Sequence, residues 1–409
     1  MSKYLSEFGW RLIIFTPSNA EMPVVDTSLV RDVADQHQIL NHPIWEPYSW
    51  YKLLTGRKSG DTVYSGFISE NGRQSVMEKI SIWLRGNLFV PDPRKFWVRP
   101  SVHYLRQYLA TNPVDAIIST GPPHSVHLIA NQLAASIGMP WIADFRDPWT
   151  GIDYYPELKL TAYANWKHHR LEKQVLTSAD RVVTVSPSWA SDLGLISGRS
   201  IKVIYNGFDP DDYSTQAPAL DQLFTINHFG SMNRDRNPRA LWQALAILRQ
   251  QGHPLIESLR VNLIGSVDYE VTRVVHQLGL EDLVSIQDHI AHDRAIKRMR
   301  SSQLLLLAIN RTENARGVIP GKFFEYLGTE RPILLLGPPN GDAAKILIQA
   351  NSGRVADFDD TDTLVDALTD FYRAYLEGRL ALVSRGFSEY SRRELAGQYC
   401  QLLDKLIDC

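Results

Sequence analysis

Cysteine is nearly absent: Cys400 and Cys409 are the only two in 409 residues. Two thiols cannot make a disulfide framework, so a reducing, cytoplasmic compartment is expected. Long hydrophobic runs are missing too. No stretch approaches the ~18 apolar residues that cross a bilayer, and Met1-Ser2-Lys3-Tyr4-Leu5-Ser6-Glu7 does not make a signal peptide. Nor does one charge sign dominate: 43 Lys+Arg face 45 Asp+Glu, and neither half is strongly basic, which argues against nucleic acid. His168-His169 and the scattered Asp residues lack metal-ligand spacing, and Asp209-Pro210-Asp211 falls in an apparent linker, so no metal site is expected. No Gly-x-Ser-x-Gly is present to suggest a covalent serine nucleophile.

What remains is a globular pattern. A hydrophobic fraction of 44% supplies a core, and the length suits two domains. Short apolar runs alternate with amphipathic stretches, the pattern of parallel sheets wrapped by helices. In the first half, strands are expected at Arg11–Thr16, Ala116–Ser119, Trp141–Asp144, Arg181–Val185 and Lys202–Tyr205. Asn206-Gly207 marks a turn, and Asp209–Asp221 reads as a linker. A second cycle has strands at Phe224–Phe229, Val261–Ile264, Val284–Ile286, Leu304–Ala308, Ile333–Leu336 and Gly353–Val355. Residues 50–110 hold 10 basic and 4 acidic side chains, interleaved with Trp50, Tyr51, Leu53, Leu54, Ile80, Trp83, Leu84, Leu88, Phe89, Phe96 and Trp97. Two readings stay open for that window: a surface lying on anionic lipid, or a helical insertion whose aromatics fill the core.

The densest chemical signal is Ile319-Pro320-Gly321-Lys322-Phe323-Phe324-Glu325-Tyr326-Leu327 before Arg331-Pro332-Ile333-Leu334-Leu335-Leu336. Amides at a helix N-terminus around Gly321 make an anion site, and Lys322 adds a full charge. Glu325, three residues on, shares the helical face, and a carboxylate suits two vicinal ribose hydroxyls. Phosphate plus ribose reads as a nucleotide; the competing reading is an ordinary helix start. Further motifs are Ser119-Thr120-Gly121-Pro122-Pro123-His124-Ser125, Trp141-Ile142-Ala143-Asp144-Phe145-Arg146-Asp147-Pro148-Trp149, Ala179-Asp180-Arg181-Val182-Val183-Thr184-Val185-Ser186 and Val203-Ile204-Tyr205-Asn206-Gly207-Phe208-Asp209.

Together these motifs resemble the GT-B glycosyltransferases of the group 1, family four-like class, over residues 3 to 405. The resemblance implies an α/β fold of two Rossmann-like domains facing each other across a cleft, with the C-terminal helix crossing back to the first. It implies an acceptor domain at 1–208 with a helical insertion at about 40–110, a donor domain at 222–388 and a returning helix at 389–409. The activity implied is retaining transfer from a nucleoside-diphosphate sugar to a glycan or lipid-linked acceptor in polysaccharide synthesis, without metal or cofactor. The location implied is cytoplasmic, on the inner membrane face if the anionic-lipid reading holds. Donor contacts fall on Arg236, Lys322, Glu325 and Gly321. Ser231 occupies the place where relatives carry a first base, and Gly317 the place of a first glutamate, so the amides of Arg316–Ile319 are candidates to replace that acid. Asp144, Arg146, Asp147 and His124 are the acceptor-side candidates; an ion pair anchoring the loop before Pro148 is the competing reading of the first three, and His127 is read as packing. Tyr4-Leu5-Ser6-Glu7-Phe8-Gly9-Trp10 resembles the end of the family's first helix, so the opening strand and Gly-rich loop are expected to be missing, which would leave this chain's activity in doubt. A nucleotide-sugar epimerase of the same architecture, or a non-catalytic nucleotide- or partner-binding relative, are the alternatives.

Overall fold

The computed structural model describes residues 2–19, 37–45, 76–213, 216, 218–380 and 387–408. Trp50, Tyr51, Leu53 and Leu54 lie outside the described residues. The chain divides into two compact units, one of Met1–Tyr205 with Ala396–Cys409, the other of Asn206–Leu395.

The first unit has β1 (Ile13–Pro17) and β2 (Gln38–His42) in a two-stranded parallel sheet. A four-stranded parallel sheet holds β3 (Ile117–Gly121), β4 (Trp141–Phe145), β5 (Arg181–Thr184) and β6 (Lys202–Val203), in that order. β4 is buried along its whole length, as a parallel strand covered on both faces must be. Ile13, Phe15 and Ile117 share one apolar cluster with helices Val98–Leu109 and Ser125–Ile137, so both sheets rest on the same helical layer. No strand joins β1 to β3 among the described residues, and β1 is only half-buried at all five positions. The chain enters through a helical turn, Ser2–Leu5, and a 3-10 turn, Ser6–Phe8. Trp10 Nε1 donates to Asp404 Oδ1 at 3.1 Å, tying this entry to the last helix.

The second unit is one six-stranded parallel sheet. It comprises β7 (Phe224–Phe229), β8 (Leu259–Ile264), β9 (Val284–Gln287), β10 (Leu304–Ala308), β11 (Ile333–Leu336) and β12 (Gly353–Ala356), ordered β12-β11-β10-β7-β8-β9. The order reverses between β7 and β10, the switch point where open α/β sheets take ligands beyond their strand ends. Helix Arg239–Gln250 follows β7 and buries Leu241, Trp242, Leu245 and Leu248 in the core. Gly230 and Gly265 end β7 and β8 with φ of +95° and +134°. A Cβ on Gly265 would stand 2.6 Å from the Gly230 carbonyl oxygen, so only glycine permits this approach.

The expected linker belongs to the second unit. Pro210–Tyr213 is a 3-10 turn, and Tyr213 OH donates to the Glu325 carbonyl at 2.7 Å. The last helix runs from Arg392 to Ile407, and its residues pass to the first unit at Ala396. No helix among the described residues is long and apolar enough to cross a membrane.

Candidate functional site

In the second unit, helix Gly321–Gly328 follows Pro320, which stands in an extended conformation as its N-cap. Two side chains a turn apart anchor this helix to the end of β7. Lys322 Nζ donates to the Phe229 carbonyl at 2.8 Å, and Phe229 N donates to Tyr326 OH at 3.0 Å. Lys322 Nζ also lies 3.2 Å from His228 Nε2. The other ring nitrogen of His228, Nδ1, is 3.0 Å from the Leu306 carbonyl, which only accepts. That carbonyl places the proton on Nδ1, leaving the Nε2 lone pair to receive an ammonium hydrogen. Burial, then Lys322, hold the His228 pKa well below the usual imidazole range. Burial, then Arg236, likewise hold Lys322 well below the usual ammonium range. A desolvated cation beside another cation gains from any anion that arrives.

Arg236 closes the turn Arg234–Arg236 that leads into helix Arg239–Gln250. Its guanidinium is aimed by two acceptors: Nε donates to Asn310 Oδ1 at 3.0 Å and NH1 to the Ser231 carbonyl at 2.8 Å. Ser231 thus serves this arginine through its backbone. Glu325 is partly buried and its carboxyl is pushed up by desolvation, against the pull of His292 and Arg392. Among the described residues its carboxylate receives no hydrogen bond. Gly321 borders open space: a Cβ there would meet nothing within 4 Å. Gly317 is buried in a 3-10 turn where its amide donates to the Asn314 carbonyl at 3.1 Å, and the Val318 amide donates to Ala315 at 3.2 Å. These two amides are therefore committed to the turn, which corrects their expected role as ligand donors. A cavity of about 270 Å³ opens at the ends of β10 and β11, bordered by Arg236, Ile309, Arg311, Leu336, Phe358 and Asp359.

In the first unit, Asp144 stands buried near the end of β4. Its Oδ2 accepts from Arg146 Nε at 2.8 Å and from Thr120 Oγ1 at 3.3 Å, with Arg146 NH2 at 2.8 Å. The ion pair expected as the competing reading is therefore formed, yet Oδ1 is buried without a partner. Desolvation raises the Asp144 carboxyl despite the arginine. Asp147 is raised by burial and then by Asp153. His124 is buried and stacks on Trp149, ring centroids 4.7 Å apart and nearly parallel. Its Nδ1 has no partner, and burial keeps the ring neutral. His127 is fully buried, with Nδ1 2.8 Å from Ser119 Oγ.

Three contributors escaped sequence reasoning. Asp92 caps helix Ser125–Ile137, accepting from Ser125 N at 2.8 Å and Ser125 Oγ at 2.9 Å. Buried Glu172 accepts from Thr150 N at 3.2 Å and Thr150 Oγ1 at 2.5 Å. His228 is the third; its place two residues before Gly230, at a strand end, was the available signal. The described residues hold no group of three or more His, Cys, Asp or Glu able to hold a metal ion.

Comparisons with known proteins fit this architecture. Residues 65–207 match the glycosyl transferase 4-like domain. Among curated proteins, none is similar in sequence to the chain. Sucrose-phosphate synthase from Thermosynechococcus elongatus is similar in structure, with a TM-score of 0.63 at 14% identity over 100% of this chain and 92% of that one. OtsA in its apo form gives 0.53 at 14% identity over 75% and 77% of the two chains. S. aureus MnaA with UDP gives 0.50 at 11% identity over 97% of each. Two Rossmann-like units, parallel sheets throughout and these structural likenesses give the chain the GT-B fold, and residues 65–207 are similar to the glycosyl transferase 4-like domain.

Proposed function

We propose that the chain is a glycosyltransferase that moves a sugar from a nucleoside-diphosphate sugar to a glycan or lipid-linked acceptor, with retention, in cell-surface polysaccharide synthesis in the cytoplasm. One observation carries the reading: Lys322 and Arg236 are fixed at one strand end, with the unoccupied carboxylate of Glu325 a helical turn away. The two cations bind the diphosphate and Glu325 accepts from the ribose hydroxyls. The solved MnaA holds UDP, which supports a uridine nucleotide.

In the reaction, the bond from the anomeric carbon to the phosphate oxygen breaks and an acceptor oxygen bonds to the same face. The acceptor proton passes to the departing phosphate. Negative charge grows on that phosphate, and cations already in place stabilise it without reorganising. Lys322 and Arg236 fill the part a divalent ion plays elsewhere, so the reaction proceeds in a chelator. Asp144, through its unpartnered Oδ1, and Asp147 orient the acceptor hydroxyl, while Arg146 holds Asp144 in place. His124, stacked on Trp149, shapes that wall more than it exchanges protons.

The test is titration with UDP and GDP, then nucleotide release from a panel of UDP- and GDP-sugars with and without glycan acceptors. Acceptor-dependent release supports transfer. A changed monosaccharide formed without acceptor would instead identify an epimerase, and binding without turnover a non-catalytic relative.

A further inference from the structure

We propose that the surface made by the end of helix Val76–Leu88, the turn Pro93–Trp97 and the first turns of helix Ala162–Ser178 docks on an anionic lipid bilayer. The structure divides the apolar side chains of this region in two. Trp97 and Val98 are buried in the core, whereas Trp83, Leu88 and Phe96 are 42%, 53% and 44% exposed. Helix Ala162–Ser178 adds Tyr163 at 67% and Trp166 at 52%, which the sequence window did not include.

These residues lie on one continuous surface. Asn87 joins the two helices, donating from Nδ2 to the Lys159 carbonyl at 3.3 Å and accepting from Thr161 N at 2.6 Å. Gly86 lets them approach, since a Cβ there would stand 2.8 Å from Leu160 Cδ2. Lys95 donates to the Leu88 carbonyl and holds its ammonium over Phe96, 4.9 Å from the ring centroid. Tyr163 and Trp166 contact each other at 5.9 Å, and the Arg170 guanidinium lies 5.1 Å from the Trp166 ring.

Among the described residues, cations predominate around these rings. Lys95, Lys159, Lys167 and Arg170 surround them, neither Asp nor Glu occurs from Leu158 to Leu171 or from Pro93 to Leu109, and Glu157 marks the rim. Amphipathic rings at headgroup depth with cations beside them fit a bilayer carrying anionic lipid. A second copy of this chain would bring the same cations face to face. The surface is independent of the nucleotide site, so the two readings stand or fall separately.

Co-sedimentation of the full chain with vesicles tests the proposal. One set is phosphatidylcholine alone; the other contains about a third phosphatidylglycerol. Binding is expected to the anionic vesicles only, and to weaken as salt rises. A Tyr163→Ser/Trp166→Ser variant and a Lys159→Glu/Lys167→Glu/Arg170→Glu variant should each bind at least about tenfold less. Their melting temperatures should match the parent, because every substituted residue is partly or largely exposed. Failure of the parent to bind, or equal binding by parent and variants, overturns the proposal. So does light scattering that shows a parent dimer and monomeric variants, which would assign the surface to a second copy.

Discussion

Lys322 offers the sharpest test of the electrostatics, because binding an anion must change its protonation. In the free protein, burial and Arg236 depress its pKa. A bound diphosphate reverses the second effect and raises it again. Below the free-state pKa the lysine is charged before and after binding, and no proton moves. Between the free and bound values, binding takes up as much as one proton, and affinity falls with rising pH by up to about tenfold per unit. Above the bound value the affinity is again flat. Titration of UDP in buffers of different ionisation enthalpy measures this uptake, at a pH well above the second phosphate ionisation near 6. Lys322→Ala removes the uptake. It also removes a charge-assisted hydrogen bond of about 1.5–3 kcal/mol, so UDP should bind roughly ten- to 150-fold more weakly. His228→Phe deletes the lone pair that steadies the ammonium and should weaken binding in the same direction. Equal proton uptake by parent and Lys322→Ala would refute the reasoning.

Three other outcomes follow from particular contacts. Glu325→Ala should bring the affinities for UDP and its 2′-deoxy analogue close together, because the ribose-specific acceptor is lost; calorimetry on the pair measures it. Gly321→Ala should leave the melting temperature within the range of a neutral surface change, about ±0.5 kcal/mol in stability, since its Cβ meets nothing. It should nevertheless weaken UDP binding if phosphate approaches that backbone. Asp92→Ala should cost about 1–2 kcal/mol in urea unfolding, because the first amide and hydroxyl of helix Ser125–Ile137 lose their acceptor.

The second unit was the more legible in sequence. Leu304–Ala308 and Ile333–Leu336 are strands over the expected residues, because each is an unbroken apolar run of the kind a strand covered on both faces carries; Phe224–Phe229 also matches, although Thr225, Asn227 and His228 are buried along with its apolar residues. β2 was not expected: Gln-Ile-Leu-Asn-His buries only Leu40, and so carries no such run. The cationic and acidic residues of the proposed nucleotide site lie within two short motifs, so Lys322, Glu325 and Arg236 could be singled out from sequence. Their supports were not. His228 meets Lys322 from 94 residues away, and Asp92 meets Ser125 from 33. Sequence also cannot tell side chain from backbone: Ser231 contributes its carbonyl, and the Gly317 amide is taken by its own turn.

A diphosphate gripped at the end of β7 is what the proposed reaction depends on. The most direct measurement compares UDP with uridine, on the parent chain and on the Arg236→Ala/Lys322→Ala double variant. The parent should prefer UDP by at least about a hundredfold, equal to two charge-assisted contacts of about 1.5 kcal/mol each, and the double variant should lose this preference. A parent that binds both alike, or a double variant that retains the preference, would contradict it.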